Sequence, residues 1–288
     1  MYLSLIPDYN TYNNGMLVSH ESPISMLNKS RNYNDYDYAL VHLFETNPEY
    51  YSFFKASKTL GREVLLDNSI FELGKAFDIK KFVKYIEELK PSYYVVPDVL
   101  EDSQKTIASF HKFCIEYGKL PGLKIGVMQG TTYQELVDCY KYMSDNADYI
   151  AISFDYSWYQ TVTETSSNSA TKVEVLEKQC KGRPRLIGML QEDKIWNYNK
   201  PHHLLGCSLA SEFKHYKWDT SIRSLDTSNP VVAGILGKRY YKGIGLLMKP
   251  SVLLADLINA EVTKEQEEDI LYNVSEFKNL LREFVSSL

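Results

Sequence analysis

The chain alternates between two hydrophobic rhythms. Short, nearly unbroken apolar runs recur, each ending in a polar or small residue: Tyr2–Ile6, Tyr38–Phe44, Glu63–Asp67, Tyr93–Asp98, Lys124–Gln129, Tyr149–Phe154, His203–Cys207 and Ser221–Asp226. Runs of this length, rich in β-branched and aromatic residues, predict strands covered on both faces. Between them, apolar residues return every three or four positions. Ile79, Phe82, Val83, Ile86 and Leu89 share one helical face, as do Ile107, Phe110, Phe113 and Cys114. A third helix opens at Thr132 and carries Leu136, Val137, Tyr140 and Met143. Val173 to Trp196 reads as helix broken near Gly182 and Pro184, and Thr161 to Thr171 as a Ser/Thr-rich loop. Thr263 and Gln266 have the spacing of a capping box ahead of an amphipathic stretch from Glu276 to Val285.

Strand–helix alternation implies a parallel sheet, and eight repeats predict a closed (β/α)8 barrel of the TIM type. The expectation is an α/β protein of one domain, residues 1–288, with the barrel over about 1–250 and C-terminal helices over about 251–288. A doubly wound sheet is the alternative. No Gly-x-Gly-x-x-Gly follows any strand, which speaks against a dinucleotide-binding version.

Composition adds limits. With 44% hydrophobic and 24% charged residues there is ample material for a core. No run is long and apolar enough to span a bilayer, and the N-terminus lacks the order of a signal peptide, so a cytoplasmic protein without a membrane partner is expected. The net charge of −5 runs against the basic bias of most nucleic-acid binders. Two basic clusters stand out. Lys181, Arg183 and Arg185 read as solvated surface, whereas Lys238, Arg239 and Lys242, following the last strand, are the best candidates for phosphate contact. Cys114, Cys139, Cys180 and Cys207 are scattered without a close pair, so neither a zinc site nor a disulfide is expected, and no other metal or cofactor is called for. The 23 tyrosines carry no mechanistic signal at this level.

Barrel enzymes hold their chemistry at the C-terminal ends of strands. Here those ends carry Asp67, Asp98, Gln129, Ser153 with Phe154, Cys207 and Asp226. One such Asp is as readily a loop or helix-cap residue. Three carboxyls and a glutamine at one mouth form a tunable acid–base set. Asp155 can join the mouth or cap a helix, and Tyr156, Trp158 and Tyr159 can stack on nucleic acid or pack a lid. His202 and His203 have no ligand-spaced partner and read as surface or packing residues.

The order of these strand ends resembles that of the tRNA-guanine transglycosylases. Asp67-Asn-Ser-Ile-Phe71 is similar to their Asp-Ser-Gly-Gly-Tyr/Phe segment, and Val127-Met-Gln129-Gly130 to their Gln-Gly strand end. His203-Leu-Leu-Gly206 with Ser224-Leu-Asp226-Thr227-Ser228 resembles their Leu-x-Gly to Phe-Asp-Cys/Ser pair, particularly in the archaeal branch. Asp98 falls where the family keeps a base-reading Asp. The likeness covers roughly residues 60 to 230. It implies that Asp226 is the nucleophile attacking C1′ of a nucleoside and Asp67 the general acid and base. Asp98, Gln129, Gly130, Ser153 and Phe154 would then bind the base, with Phe71 stacking on its face. Retaining glycosidases divide the same labour between two carboxyls. An aromatic platform suits a base that has left its stack.

The chain also departs from the family. The zinc-binding cysteines after the nucleophile and the appended RNA-binding domain are missing, and Ser69-Ile70 replaces Gly-Gly. The resemblance is therefore strongest to short, phage-type enzymes. It implies exchange of guanine in DNA for a free 7-deazaguanine base such as preQ0, in host cytoplasm if the chain is phage-encoded. The alternatives are the same chemistry on tRNA, a glycosidase that only excises the base, and a non-catalytic nucleic-acid-binding partner subunit. Asp219 is the reserve nucleophile.

Overall fold

The computed structural model describes residues 16–153, 172–207, 209–216 and 219–286. Eight parallel strands follow one another around a nearly closed barrel: β1 (Leu17–His20), β2 (Asp37–Leu40), β3 (Val64–Asp67), β4 (Tyr93–Val95), β5 (Leu123–Met128), β6 (Tyr149–Ser153), β7 (His202–Leu205) and β8 (Ile222–Thr227). Every sequential pair from β2 to β8 is hydrogen-bonded, and β1 pairs with β8 through Ser19 opposite Asp226. This is the expected single-domain (β/α)8 barrel with C-terminal helices.

The seam between β1 and β2 is closed by side chains. Asp35 accepts from the Val18 amide (2.8 Å) and returns its own N–H to the Val18 carbonyl (3.0 Å). Asn34 brackets His20 in the same way, accepting from its amide at 2.7 Å and donating to its carbonyl at 3.0 Å. The Ser19 hydroxyl accepts from the Tyr38 amide at 3.2 Å. The first barrel strand therefore differs from expectation: it is Leu17–His20, while the run Tyr2–Ile6 lies outside the described residues.

The long helices are α1 (Pro48–Thr59), α2 (Ile79–Leu89), α3 (Ser103–Tyr117), α4 (Tyr133–Asn146), α5 (Lys172–Glu192), α6 (Asn229–Ile235) and α7 (Lys264–Ser286). Asp78 caps α2 and Asp102 caps α3 through the third amide of each helix, and Thr132 with Glu135 forms a full capping box on α4. Thr263 and Gln266 make the same reciprocal pair at α7. Phe82, Ile86, Phe110, Phe113, Leu136 and Met143 pack inward onto the strands. Gly126 of β5 leaves room for α4, since an added Cβ would lie 2.5 Å from Met143 Sδ.

Two expectations need correction. The helix expected to break near Pro184 runs through it to Glu192, because its inner face (Cys180, Arg183, Leu186, Ile187 and Leu190) is almost fully buried and holds it in place. Arg183 is not surface: it is 0% exposed, although Lys181 and Arg185 beside it are exposed. Its guanidinium pairs with Glu212 (2.7 and 3.1 Å) and donates to the carbonyls of Ile152 (3.1 Å), Leu205 (2.9 Å) and Gly206 (2.7 Å). One cation thus ties the ends of β6 and β7 together. Removing one partner of a buried pair leaves an uncompensated charge, which typically costs about 3–5 kcal/mol. Glu212→Ala should lower the free energy of urea unfolding by that amount; an unchanged midpoint would mean that the carbonyls alone satisfy Arg183.

Candidate active site

Side chains alternate between the two faces of a strand, and one parity points into the barrel. From the floor upward these include a layer of aromatic rings and, above it, carboxyls set among aliphatic and neutral polar side chains. Tyr93 and Tyr149 meet edge to face (5.8 Å between ring centroids), Tyr149 meets His203 (6.5 Å), and Tyr38 stacks on His203 (6.2 Å, 18°). Four of the tyrosines, Tyr36 included, thus plug the barrel under its mouth. Above them opens a cavity of about 680 Å³, lined at successive strand ends by Glu21, Leu40, Asp67, Val95, Gln129, Ser153, Leu205 and Asp226.

Three carboxyls expected at the mouth, Asp67, Asp98 and Asp226, do line one cavity, together with Gln129, Ser153 and Phe71. Phe71 is 66% exposed, an open platform at the rim. Gly130 does not line the cavity: a Cβ there would press on Glu135 at 2.9 Å, so it packs against the start of α4. Phe154, Asp155, Tyr156, Trp158, Tyr159 and the loop Thr161–Thr171 lie outside the described residues. Lys238, Arg239 and Lys242 are exposed but do not line the cavity, and Arg239 is tied to Asp269 and lies over Tyr272. Lys249, which the sequence pattern did not single out, does line it. Asp219 sits elsewhere, accepting from Trp196 Nε1 and the Ser221 amide.

Three polar groups at the mouth are each held by a backbone amide from a residue in the left-handed region. Ser69 (φ 59°) donates to Asp67 Oδ2 at 2.7 Å, Glu101 (φ 59°) to Gln129 Oε1 at 3.0 Å, and Gly206 (φ 67°) to Asp226 Oδ1 at 3.0 Å. For a non-glycine residue this conformation costs roughly 1–2 kcal/mol, and such strain gathers at functional sites. Gln129, oriented by Glu101, donates from Nε2 to Asp98 Oδ2 at 2.8 Å, while Asn68 donates to Asp98 Oδ1 at 2.8 Å. The result is a rigid strip of donors and acceptors.

Three residues were missed in the sequence. His203 is fully buried inside the barrel, with Nε2 3.0 Å from Asp226 Oδ1 and Nδ1 2.8 Å from Ser224 Oγ. His202, on the outer face of the same strand, stacks on Trp196 (3.8 Å). Both histidines lie within β7. Glu21, just past β1, and Glu72, in the turn Ile70–Leu73, complete an acidic ring with Asp67 and Asp226. The parity of His203 with Leu205, and of Ser224 with Asp226, was the available signal for the histidine.

Burial, then repulsion from Asp226, Glu72 and Asp67, pushes the Glu21 carboxyl well above its ordinary range. Burial and then the charge on Glu72 do the same for Asp67, against the pull of the Ser69 amide. Burial also raises Asp98, opposed by Asn68 and Gln129. Glu72 is pushed up to about 7 by burial and by Asp226. The mouth therefore retains protons near neutrality, and the groups there can both give and take them. Burial takes the Cys207 thiol well above its ordinary range, so this cavity-lining cysteine is a poor nucleophile. No group of three or more His, Cys, Asp or Glu side chains among the described residues is placed to hold a metal ion. No helix among them is long and apolar enough to cross a membrane.

Comparison of the sequence with protein-family models and with curated proteins finds no match.

The folded protein keeps the Glu72 proton up to about pH 7, whereas an unfolded chain releases it near 4.5. Unfolding therefore becomes easier as the pH rises through that window. Glu72→Gln should leave Tm unchanged near pH 4 and raise it at pH 8, by roughly 2–4 °C for each kcal/mol of repulsion relieved. Equal effects in calorimetry at the two pH values would mean that Glu72 titrates as an ordinary surface carboxyl.

Proposed function

We propose that the protein is a transglycosylase that exchanges guanine in DNA for a 7-deazaguanine base through a covalent bond between Asp226 and the sugar. The observation that carries this reading is the engagement of Asp226: both of its hydrogen bonds among the described residues fall on Oδ1, and it lines a cavity shared with Asp67, whose carboxyl burial pushes well above its ordinary range. Asp226 attacks C1′ and the C1′–N9 bond breaks, its electron pair leaving with guanine, which takes up the proton held on Asp67. The incoming 7-deazaguanine then gives its N9 proton to Asp67 and displaces Asp226 from C1′, restoring the carboxylate. The Asn68–Asp98–Gln129 strip suits the hydrogen-bonding edge of a purine, and exposed Phe71 suits its face. DNA is favoured over tRNA by Ser69-Ile70 in place of Gly-Gly and by the lack of a close cysteine pair over residues 227–288.

Incubation with a guanine-containing DNA oligonucleotide should give a denaturation-resistant adduct on a gel, and nucleoside mass spectrometry should show base exchange when free 7-deazaguanine is added. Asp226→Asn should abolish both, because an amide is too weak a nucleophile. Asp67→Asn should slow exchange by roughly 10²- to 10⁴-fold, the usual contribution of a general acid–base group. Retained exchange in Asp226→Asn would end this mechanism, and activity on RNA alone would move the proposal to the tRNA enzymes.

Gln129→Ala removes one partner of a buried polar edge, worth about 1–3 kcal/mol. Discrimination between guanine and adenine should fall correspondingly, with the rate of adduct formation on guanine less affected. Unchanged discrimination in a competition assay would remove Gln129 from base reading.

A further inference from the structure

A continuous buried chain runs beneath the mouth. Tyr149 OH lies 2.9 Å from Ser224 Oγ, Ser224 Oγ lies 2.8 Å from His203 Nδ1, and His203 Nε2 lies 3.0 Å from Asp226 Oδ1. All four residues are buried. The rings of Tyr36, Tyr38 and Tyr149 wall the imidazole, and Ser224 and Asp226 are its polar partners among the described residues.

The directions of these bonds follow from counting protons. Burial raises the Tyr149 phenol above its ordinary range, so it keeps its single proton, and Ser224 Oγ is the acceptor in reach. Ser224 then has its own proton to give, and a buried hydroxyl that donates to nothing is costly. Its remaining partner is His203 Nδ1. An Nδ1 that accepts leaves the imidazole proton on Nε2, aimed at Asp226.

We propose that His203 is a positioning residue for Asp226: the chain from Tyr149 through Ser224 fixes the proton on His203 Nε2, which with the Gly206 amide holds Oδ1 and leaves Oδ2 as the atom that attacks C1′. The second half of this statement rests on the transglycosylase reading, whereas the hydrogen-bond chain does not. Two donors on one oxygen, from β7 and from the residue after it, stop the carboxyl from rotating. A nucleophile fixed in direction is worth far more than one merely nearby. The donor contributes no atom to the reaction, so its removal should slow bond formation without loosening substrate.

Two measurements test this on the whole protein. The first is the long-range proton–nitrogen NMR spectrum of the histidine rings at pH 7, with His203 identified by the signal lost in His203→Gln. The expected pattern is the neutral ring protonated on Nε2, becoming a mixture of tautomers in Ser224→Ala. A ring protonated on Nδ1, or on both nitrogens, overturns the chain whatever the enzyme's activity. The second is single-turnover adduct formation on a guanine DNA oligonucleotide. His203→Leu should slow it by roughly 10- to 100-fold with oligonucleotide binding within about twofold, and His203→Gln, whose amide can replace the Nε2 donor, should recover most of the loss. Equal rates in wild type and His203→Leu, or equal losses in the leucine and glutamine variants, would reject the positioning role. Should His203→Leu fail to fold, the wild-type ring pattern and the Ser224→Ala rate decide. A wild type that forms no adduct would instead defeat the transglycosylase reading, and the tautomer would then judge the chain alone.

Discussion

Glu21, Asp67, Glu72 and Asp226 open on one cavity, and like charges brought together away from water cannot all be ionised. Much of the architecture around the mouth can be understood as the management of that repulsion. Protons retained on some of these groups relieve part of it, and the donors supplied by the fold relieve more. Among the described residues, Lys249 is the one cationic side chain on the cavity wall; the buried cation nearby, Arg183, is committed to Glu212 and to three carbonyls. Stabilisation at the mouth therefore comes from neutral donors.

Three of those donors are amides of backbone bent into the left-handed region in the connections after β3, β4 and β7. The bends need a rigid base, and Arg183 supplies it for one of them: by holding the Leu205 and Gly206 carbonyls from below, it fixes the peptide whose amide reaches Asp226. The barrel floor serves the same end. A plug of buried tyrosines surrounds His203 with rings, and Ser224 and Asp226 are its polar partners among the described residues. Side chains that fill the barrel thus also decide which hydrogen bonds the carboxyl at its mouth can make.

How much of this was legible in the sequence follows from which interactions are local. Seven strands could be read because each is a nearly continuous apolar run, and the starts of α4 at Thr132 and of α7 at Thr263 because a cap and its partner are three residues apart. β1 could not: Leu17-Val18-Ser19-His20 has only two aliphatic residues, and its place is secured by Asn34 and Asp35 from the next connection and by β8. Missing β1 meant missing Glu21. Glu72 was hidden because a one-turn helix leaves no periodicity. His203 and Asp226 are 23 residues apart and meet only because His203 pairs with Ser224 across β7 and β8. Arg183 was misread because two exposed basic neighbours made it look like part of a surface cluster. The strand-end carboxyls themselves were visible, since a polar residue closing an apolar run is a local signal.

The acidic mouth also bears on the net charge of −5, which argued against a nucleic-acid partner. Under the base-exchange proposal, a polyanion has to approach a cavity ringed by carboxyls, and its phosphates are repelled most strongly where the surroundings are least aqueous. An uncharged base suffers no such penalty. The cavity would therefore admit the base and hold the backbone at the rim, where Lys249 and the apolar surfaces of Phe71, Leu100 and Leu253 lie. A base stacked in a duplex cannot reach Asp98 and Gln129, so it would have to swing out, exchanging stacking on its neighbours for contact with that apolar rim. On this view the repulsion that keeps protons on the mouth's carboxyls also helps to sort the substrate. Little affinity need then come from phosphate contacts, and selectivity would rest on the purine edge presented to Asn68, Asp98 and Gln129.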